Sequence, residues 1–543
     1  MTVDETQMNE REPSRKALHA ARRMAGLVAG LVAALALTLA MMSLRLLLGV
    51  ATAPELVGDR IAPLLPVNTF LYLLDLAGGY NELKQIGVVS VIAGQLAFGV
   101  LGGLWYATRT ERARLPEATG RFGVNRRGLL FVGLFVGTLW LASIVLLWPV
   151  LGTHYAGRPP GQATVITALG LLFSYAVFGA TLILTYGVMA RHAPLDNADS
   201  ARQPDGRRAL LVAGAGVAVA IALGVVMRRL YGLATFSYDG TQYKGADVQA
   251  ITPNERFYVV SKNVIDPNVE RRLWRLEVTG MVESPQSFSY EALTAMAATT
   301  QETTLRCISN QTGGGLMSNA AWKGVPLKSL IEAARPKGTV LEVILHGADN
   351  YTDTVAFEKA MNPTTLAAFE MNGEPLPFNH GYPVRVIVPG LYGEKNVKWV
   401  TRIELVERDA KGFYERQGWG PNFVVPTSSR FDQPDDRQKF KLAALGAAFV
   451  TLRGVAHGGD RGIARVEISP DDGRTWREAN VEHAQSPSAW SLWSYDWNPN
   501  APGEYKLIVR ATDGAGALQT PDERGIVPEG STGYHKITVN IEA

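Results

Sequence analysis

The chain has 543 residues, more than one hydrophobic core usually organises, so we expect two or three folded units. Its 53 basic and 50 acidic residues leave a formal net charge of +3, too balanced for a molecule covered by nucleic-acid-binding surface. We therefore predict no nucleic-acid partner. The single cysteine, Cys307, excludes an intramolecular disulfide, a structural zinc site and an iron–sulfur cluster, because each needs several thiolates. Cys307 is either a buried thiol, the usual state of a lone cysteine, or a single metal ligand or nucleophile.

Five apolar stretches before residue 230 are long enough to cross the hydrocarbon core of a bilayer. We predict spans at residues 24–44, 87–106, 128–150, 164–189 and 209–227. Basic residues precede the first span and fill the loops after the second and fourth, which predicts a cytoplasmic N-terminus and an outer location for everything beyond about residue 230. They are Arg11, Arg15, Lys16, Arg22 and Arg23, then Arg109, Arg112, Arg114, Arg121, Arg126 and Arg127, and finally Arg191, Arg202, Arg207 and Arg208. Arg228 and Arg229, just beyond the fifth span, run against this orientation.

Residues 51–82 contain three prolines among apolar residues, and we interpret them as an interfacial or re-entrant segment on the outer face. The histidines nearest to the predicted spans are His154 and His192, both in loops, so we predict no haem in this chain. The bundle anchors the chain in membrane lipid or also docks a separate electron carrier. A transporter is disfavoured because the charge closest to a span interior is Arg45, at the edge of the first span.

Arg207 and Arg208 directly precede the fifth span, which is rich in glycine and alanine. This arrangement resembles a twin-arginine export signal placed inside the chain. The alternative is that the two arginines only set the topology of the span.

Short β-rich runs replace the apolar stretches from about residue 243 onward. We predict strands at residues 274–278, 341–345, 384–388, 399–406, 463–468 and 505–510, helices at 329–334 and 357–361, and a hairpin turn at 469–476. The chain is therefore predicted to be a multi-domain protein: a cytoplasmic tail (1–23), a five-helix transmembrane bundle (24–230), a mixed α+β domain (231–445) and an all-β, immunoglobulin-like sandwich (446–543).

Two segments of the outer half concentrate residues that suit a bound cofactor. Residues 305–327 place Cys307 at a strand end before a glycine-rich loop, where a side chain can face a ligand. Residues 371–399 combine a buried-looking strand with His380, Arg385, Lys395 and Lys398. Basic side chains and exposed glycine amides suit a phosphate-bearing anion. Taken singly, His380 or Lys398 would more often be an ordinary surface residue.

Together these segments resemble the molybdopterin domain of the sulfite oxidase family, over about residues 252–437. The motifs His380-Gly-Tyr-Pro-Val-Arg385 and Val388-Pro-Gly-Leu-Tyr-Gly-Glu-Lys-Asn-Val-Lys-Trp399 are highly specific in combination. The last part of the chain similarly resembles the dimerisation domain of that family. The resemblance covers none of the five spans. It implies a molybdenum–molybdopterin cofactor, an oxidoreductase domain at residues 231–445 and a homodimer.

The resemblance also implies roles for individual residues. Cys307 matches the thiolate that ligates molybdenum beside the pterin dithiolene, and Tyr351 matches the tyrosine that projects toward the equatorial oxo group. The remaining matches are cofactor-binding positions: Tyr258, Ser261, Lys262, Asp349, His380, Arg385, Asn396, Val397 and Lys398.

The chain departs from the family at the positions that bind an oxyanion substrate. Sulfite oxidases carry arginines after the ligand cysteine and on the early strand. Here Gln311 and Thr312 stand at the first positions, and Val260 or its neighbour Ser261 at the second. Each missing charge-assisted hydrogen bond is worth roughly 1.5–3 kcal/mol, which argues against sulfite as the substrate.

We therefore predict a molybdenum oxidoreductase that transfers an oxygen atom, with two electrons, to or from a small molecule at the outer face of the membrane. A separate protein exchanges its electrons. The alternative to sulfite oxidation is the reduction of a sulfoxide, including methionine sulfoxide in exported proteins. The alternative from another class is a non-catalytic membrane-anchored scaffold, which the retained Cys307 and the His380–Arg385 pair oppose.

Overall fold

The computed structural model describes residues 11–112, 126–190, 206–442, 449–482 and 484–543. The chain divides into two compact units, the first formed by described residues up to 62, 74–155 and 160–234, and the second by 63–73, 156–159 and 235–543. Some residues used above lie outside the described ranges: Arg114, Arg121, Arg191, His192, Arg202 and the predicted domain boundary at 445/446.

The amino-terminal part of the chain is helical. Its helices are α1 (Arg11–Leu48), α2 (Ala53–Ile61), α3 (Val67–Ala77), α4 (Tyr80–Arg112), α5 (Arg126–Leu147), α6 (Pro160–Ala190) and α7 (Gly206–Gly232). Five segments are long and apolar enough to cross a membrane: Arg22–Leu48, Tyr80–Arg109, Gly128–Val150, Pro160–Met189 and Gly214–Gly232. Each overlaps one predicted span, so the prediction of five long apolar helices is confirmed. Such helices are compatible with a membrane anchor.

Glycine allows α1 and α4 to pack with their backbones in contact. A Cβ atom on Gly103 would overlap the Gly26 carbonyl oxygen, and one on Gly30 would overlap that of Gly99. Small residues at such positions are the usual means of close helix packing in apolar surroundings. At the end of α1, Arg45 donates from Nε to Glu55 Oε1 at 3.0 Å, so this buried charge belongs to a structural ion pair.

The second unit begins with an α+β region. Its strands are β1 (Leu276–Gly280), β2 (Gln286–Phe288), β3 (Thr299–Arg306), β4 (Met317–Pro326), β5 (Glu342–Gly347), β6 (Thr352–Ala356), β7 (Leu366–Met371), β8 (Glu374–Pro375), β9 (Arg385–Ile387) and β10 (Val400–Val406), and its helices are α8 (Tyr290–Thr294), α9 (Leu327–Ala333), α10 (Phe357–Ala360) and α11 (Phe413–Gln417). One sheet has the order β2-β1-β10-β5-β6, and the other has β3-β4-β7-β8 with β9 paired to β7. The predicted α+β architecture is confirmed.

The sequence explains where the strands of this region lie. In β5, buried and half-buried residues alternate, with Val343 and Leu345 fully buried, as expected for a strand with one face on the core. The predicted strand at 399–406 begins one residue later, because Trp399 has a φ of 50°, a left-handed conformation that a strand does not accommodate. The aromatic ring of Trp399 is nevertheless buried in the same core.

The carboxy-terminal region is built of strands alone among its described elements. They are β11 (Ser428–Gln433), β12 (Lys439–Lys441), β13 (Val450–His457), β14 (Ile463–Ser469), β15 (Arg477–Glu478), β16 (Asn480–Glu482), β17 (Ser491–Trp497), β18 (Gly503–Asp513) and β19 (His535–Glu542). They form two sheets, β11-β13-β17-β16 and β12-β19-β18-β14-β15, whose apolar residues share one core. The predicted turn at 469–476 joins β14 to its antiparallel partner β15. Because β11 and β12 pair within these sheets, the sheets include residues that precede the predicted boundary at 446.

Candidate functional site

Cys307 directly follows β3 and opens a tight loop. Its backbone N–H donates to the Leu316 carbonyl at 3.0 Å, and its Sγ lies 3.0 Å from Ser309 Oγ. The loop is held by Asn310, whose Oδ1 accepts from the Leu316 N–H at 2.9 Å. Burial and the nearby Glu394 carboxyl raise the pKa of the Cys307 thiol to about 11. The sulfur therefore keeps its proton at neutral pH, and a metal ion that bound there would displace this proton.

Tyr351 is held in place through its hydroxyl. The Tyr351 hydroxyl donates to Asp353 Oδ2 at 2.7 Å and lies 3.2 Å from the Glu394 carbonyl oxygen. Lys395 Nζ lies 2.7 Å from Asp353 Oδ1 and 3.2 Å from Glu415 Oε2. Lys395 thus serves a buried ion-pair network, which differs from the expectation that its charge faces a phosphate.

Glu394 is a site residue that the sequence reasoning missed. Burial raises the pKa of its carboxyl to about 8. Burial raises the pKa of Cys307, Tyr351 and Tyr414, and the charge of Glu394 in its ionised form raises each of them further. Cys307 likewise raises the pKa of Tyr258, after burial. The fold therefore brings together one thiol, one carboxyl and three phenols, those of Cys307, Glu394, Tyr258, Tyr351 and Tyr414. The only signal in the sequence was a charged residue between Gly393 and Lys395, inside the second motif.

A basic group of side chains lies around the start of β9. Arg385 donates from Nη1 to the His380 carbonyl at 3.1 Å and from Nη2 to the Asn396 carbonyl at 3.0 Å. Its Nε has no hydrogen-bond partner among the described residues. Lys398 Nζ donates to the carbonyl oxygens of Asn379 at 3.1 Å and Val260 at 3.5 Å. Burial and the Arg385 charge lower the pKa of His380 to about 3, so the ring is neutral.

Gly381 lets these basic residues approach one another. It has a φ of 109°, and a Cβ atom there would lie 3.0 Å from Arg385 Cβ and 3.1 Å from Lys398 Cβ. Only glycine adopts this conformation readily without a steric cost.

The early segment and Asp349 meet in space. Lys262 Nζ donates to the Asp349 carbonyl at 2.7 Å, and Asp349 Oδ1 accepts from the Tyr351 N–H at 3.1 Å. Ser261 Oγ donates to Asp266 Oδ1 at 2.6 Å. Asn263, which the sequence reasoning passed over, donates from Nδ2 to Asp349 Oδ2 at 3.0 Å.

Two predicted site residues have their polar groups engaged within the protein. The Asn396 side chain accepts from the Val388 N–H at 2.7 Å and donates to the Tyr392 carbonyl at 2.9 Å. The Val397 carbonyl accepts from the Val386 N–H at 2.9 Å, and its side chain is buried in the core. The Asn396 side chain therefore stabilises the loop itself, and the cofactor-binding role of both residues stays a prediction.

Comparison with known proteins gives matches over the second unit. Residues 263–414 match the family model of the oxidoreductase molybdopterin binding domain, and residues 423–542 match that of the Mo-co oxidoreductase dimerisation domain. The mitochondrial sulfite oxidase of Rattus norvegicus is 30% identical over 346 residues, which cover 54% of this chain and 62% of the relative. The NAD(P)H nitrate reductase of Hordeum vulgare is 29% identical over 335 residues, covering 50% and 37%. A solved structure, the sulfane dehydrogenase SoxCD of Paracoccus pantotrophus, is 23% identical with a TM-score of 0.46 and covers 55% of this chain and 85% of that one.

These matches define the class of protein. The second unit contains a molybdopterin-binding oxidoreductase domain of the sulfite oxidase type, followed by a Mo-co dimerisation domain, and its cofactor is molybdenum bound to molybdopterin. The chain spans about three fifths of the length of the sulfite oxidases that it matches. The residues fit this cofactor, because a single thiol is available for the metal, while the buried Arg385 and the half-buried Lys398 are cations held by backbone carbonyls.

Proposed function

We propose that this chain catalyses two-electron oxygen-atom transfer on a small, uncharged substrate. The observation that carries the proposal is that uncharged residues, Gln311, Thr312 and Val260, stand where sulfite oxidases have arginines. An anionic substrate such as sulfite would lose charge-assisted hydrogen bonds there, whereas a neutral sulfoxide does not need them.

Each predicted residue has a part in this proposal. Cys307 would hold the molybdenum, which supplies the two-electron redox chemistry when the cofactor is bound. Tyr351 would orient the substrate oxygen, since its hydroxyl donates to Asp353, which Lys395 in turn holds. The residues that would bind the pterin and its phosphate are Tyr258, Ser261, Lys262, Asp349, His380, Arg385, Asn396, Val397 and Lys398.

The cellular setting is part of the proposal. The five apolar helices would anchor the chain in a membrane with the enzyme domain on the outer side, and Arg207 and Arg208 would direct its export after cofactor insertion. Electrons would pass to or from a separate protein. The carboxy-terminal sandwich, which we propose to be immunoglobulin-like, would form a homodimer, and its match to a dimerisation domain supports this.

Sulfite oxidation is the second candidate, because sulfite oxidases are among the relatives of this chain. The decisive experiment measures kcat/KM of the purified full chain for a dialkyl sulfoxide with a reduced dye, and for sulfite with an electron-accepting dye. We expect the sulfoxide value to exceed the sulfite value by at least about tenfold, the effect of roughly 1.4 kcal/mol of lost anion binding. A higher value for sulfite would contradict the proposal.

Two variants test the assignment of the residues. Cys307→Ser should abolish turnover, because an alcohol is a much weaker ligand than a thiolate, and full activity would refute its role as a ligand. Gln311→Arg places a positive charge where sulfite oxidases have an arginine, so it should lower the KM for sulfite and leave that for the sulfoxide nearly unchanged. An equal change in both KM values would show that charge does not select the substrate.

A further inference from the structure

A short segment from the amino-terminal part of the chain belongs to the compact unit that holds the candidate site. Residues 63–73, which include most of α3, group with residues 235–543 in the second unit. Val67 is 6% exposed and shares an apolar cluster with five other buried residues: Ile308, Tyr392, Trp419, Phe423 and Val425. Leu71, one helical turn after Val67, packs against the same cluster. Because Ile308 directly follows Cys307, this cluster reaches the residue next to the candidate metal ligand.

The other sides of α3 differ from the face that enters this cluster. Asn68 and Asp75 are seven residues apart, so they share a second face of the helix, and both are exposed. Tyr72 and Leu76 are four residues apart and share a third face, which the described residues leave 67% and 72% exposed. We call these the polar face and the outer apolar face. A helix with an uncovered apolar face beside a polar one is typical of a helix that lies in a membrane interface.

The position of α3 in the chain indicates what covers the outer apolar face. The helix lies between Arg22–Leu48 and Tyr80–Arg109, both long and apolar enough to cross a membrane. Leu73 precedes Tyr80 by seven residues, and seven residues span at most about 25 Å even when fully extended. If these helices span a bilayer, as proposed above, the chain holds α3 close to the membrane surface.

We propose that α3 is an interfacial helix that binds a lipid surface through Tyr72 and Leu76 and holds the enzyme domain there through Val67 and Leu71. The proposal rests on the membrane anchoring proposed above. Interfacial helices bury their apolar face about 5–10 Å into the boundary between headgroups and acyl chains, and tyrosine is common at this depth. The apolar cluster beside Cys307 would then lie about one helix diameter, roughly 10 Å, from lipid.

Spin labels on added cysteines test the proposal in the full chain, reconstituted in phospholipid bilayers. Tyr72→Cys and Leu76→Cys report the outer apolar face, and Asn68→Cys and Asp75→Cys are matched controls on the polar face of the same helix. We expect collisions with oxygen, which dissolves in lipid, to dominate at positions 72 and 76, at a depth of about 5–10 Å. Collisions with a water-soluble nickel chelate should dominate at positions 68 and 75. The wild type, labelled in the same way, gives the background from Cys307. Nickel-dominated collisions at all four positions would overturn the proposal.

A second test needs no variant. A lipid that carries a photoreactive group near the start of its acyl chain is included in the bilayer, and the crosslinked peptides are mapped by mass spectrometry. Crosslinks to residues 72–76 together with crosslinks to the five apolar helices support the proposal. Crosslinks to those helices but none to α3 would refute it and leave the membrane anchoring intact, whereas crosslinks to neither would refute both. Neither test measures turnover, so the proposed enzyme activity can fail independently of this lipid contact.

Discussion

The buried basic residues of the second unit differ in whether a carboxylate balances their charge. Lys395 is 4% exposed and lies within 3.2 Å of two carboxylates, those of Asp353 and Glu415. Burial opposes its charged form, but these carboxylates leave the pKa of Lys395 above its ordinary value. Arg385 and Arg306 are equally buried, yet their hydrogen bonds go to carbonyl and hydroxyl oxygens, and each keeps an unpartnered Nε among the described residues.

This difference separates structural charges from charges that serve a ligand. A buried cation with its own carboxylates is balanced within the protein and supports neighbouring groups, here the Tyr351 hydroxyl. A buried cation without a carboxylate carries a cost that an incoming anion removes. Under the proposed function, Arg385 would meet the pterin phosphate in this way.

The largest effect is expected from Lys395→Met. The substitution leaves the buried Asp353 and the half-buried Glu415 without a counter-ion, so the free energy of unfolding should fall by about 3–5 kcal/mol, as measured by denaturant titration. The control is Lys323→Met, which breaks a 3.0 Å ion pair with Glu370 whose side chains are 43% and 27% exposed. That change should cost at most about 1 kcal/mol. Equal losses of unfolding free energy in the two variants would show that the buried ion pair matters no more than the exposed one.

An intermediate effect, on the cofactor and not on the fold, is expected from Arg385→Gln. Loss of charge-assisted bonds worth roughly 1.5–3 kcal/mol should weaken retention of the cofactor at least about tenfold. The molybdenum and pterin content per chain after dialysis measures this retention. Because a buried, unbalanced charge is also removed, the apoprotein should lose less stability than Lys395→Met does. Arg402→Gln is the matched control, since Arg402 has its own carboxylate partner in Glu404 at 3.3 Å. Full molybdenum retention in Arg385→Gln would contradict the proposed role.

The smallest effect concerns the pH dependence of stability. Burial, with the charges of Arg306 and Arg461, lowers the pKa of His457 to about 3. The unfolded chain takes up this proton near pH 6.5, so the contribution of His457 to stability is complete above that pH and is lost as the pH falls toward 3. The slope should reach about 1.4 kcal/mol per pH unit for this one group. His457→Gln should reduce the slope of unfolding free energy between pH 6 and 4 by about that amount. An unchanged slope would show that His457 does not titrate on unfolding.

The sequence alone determined the features that depend on local pattern. Runs of apolar residues predicted five long helices, because span length and hydropathy are properties of contiguous sequence. The position of Cys307 at a strand end and the basic residues of the second motif could also be predicted, since both follow from residues close together in the chain.

The tertiary structure alone decided which of these residues meet. Glu394 lies near Cys307 because the segment 388–399 packs against β3 and β6. For the same reason Lys395 pairs with Asp353 and is not available to a phosphate. Arg306 meets Ser531, which is 225 residues away along the chain. Contacts over such distances depend on how sheets pack against one another, and no local pattern records that packing.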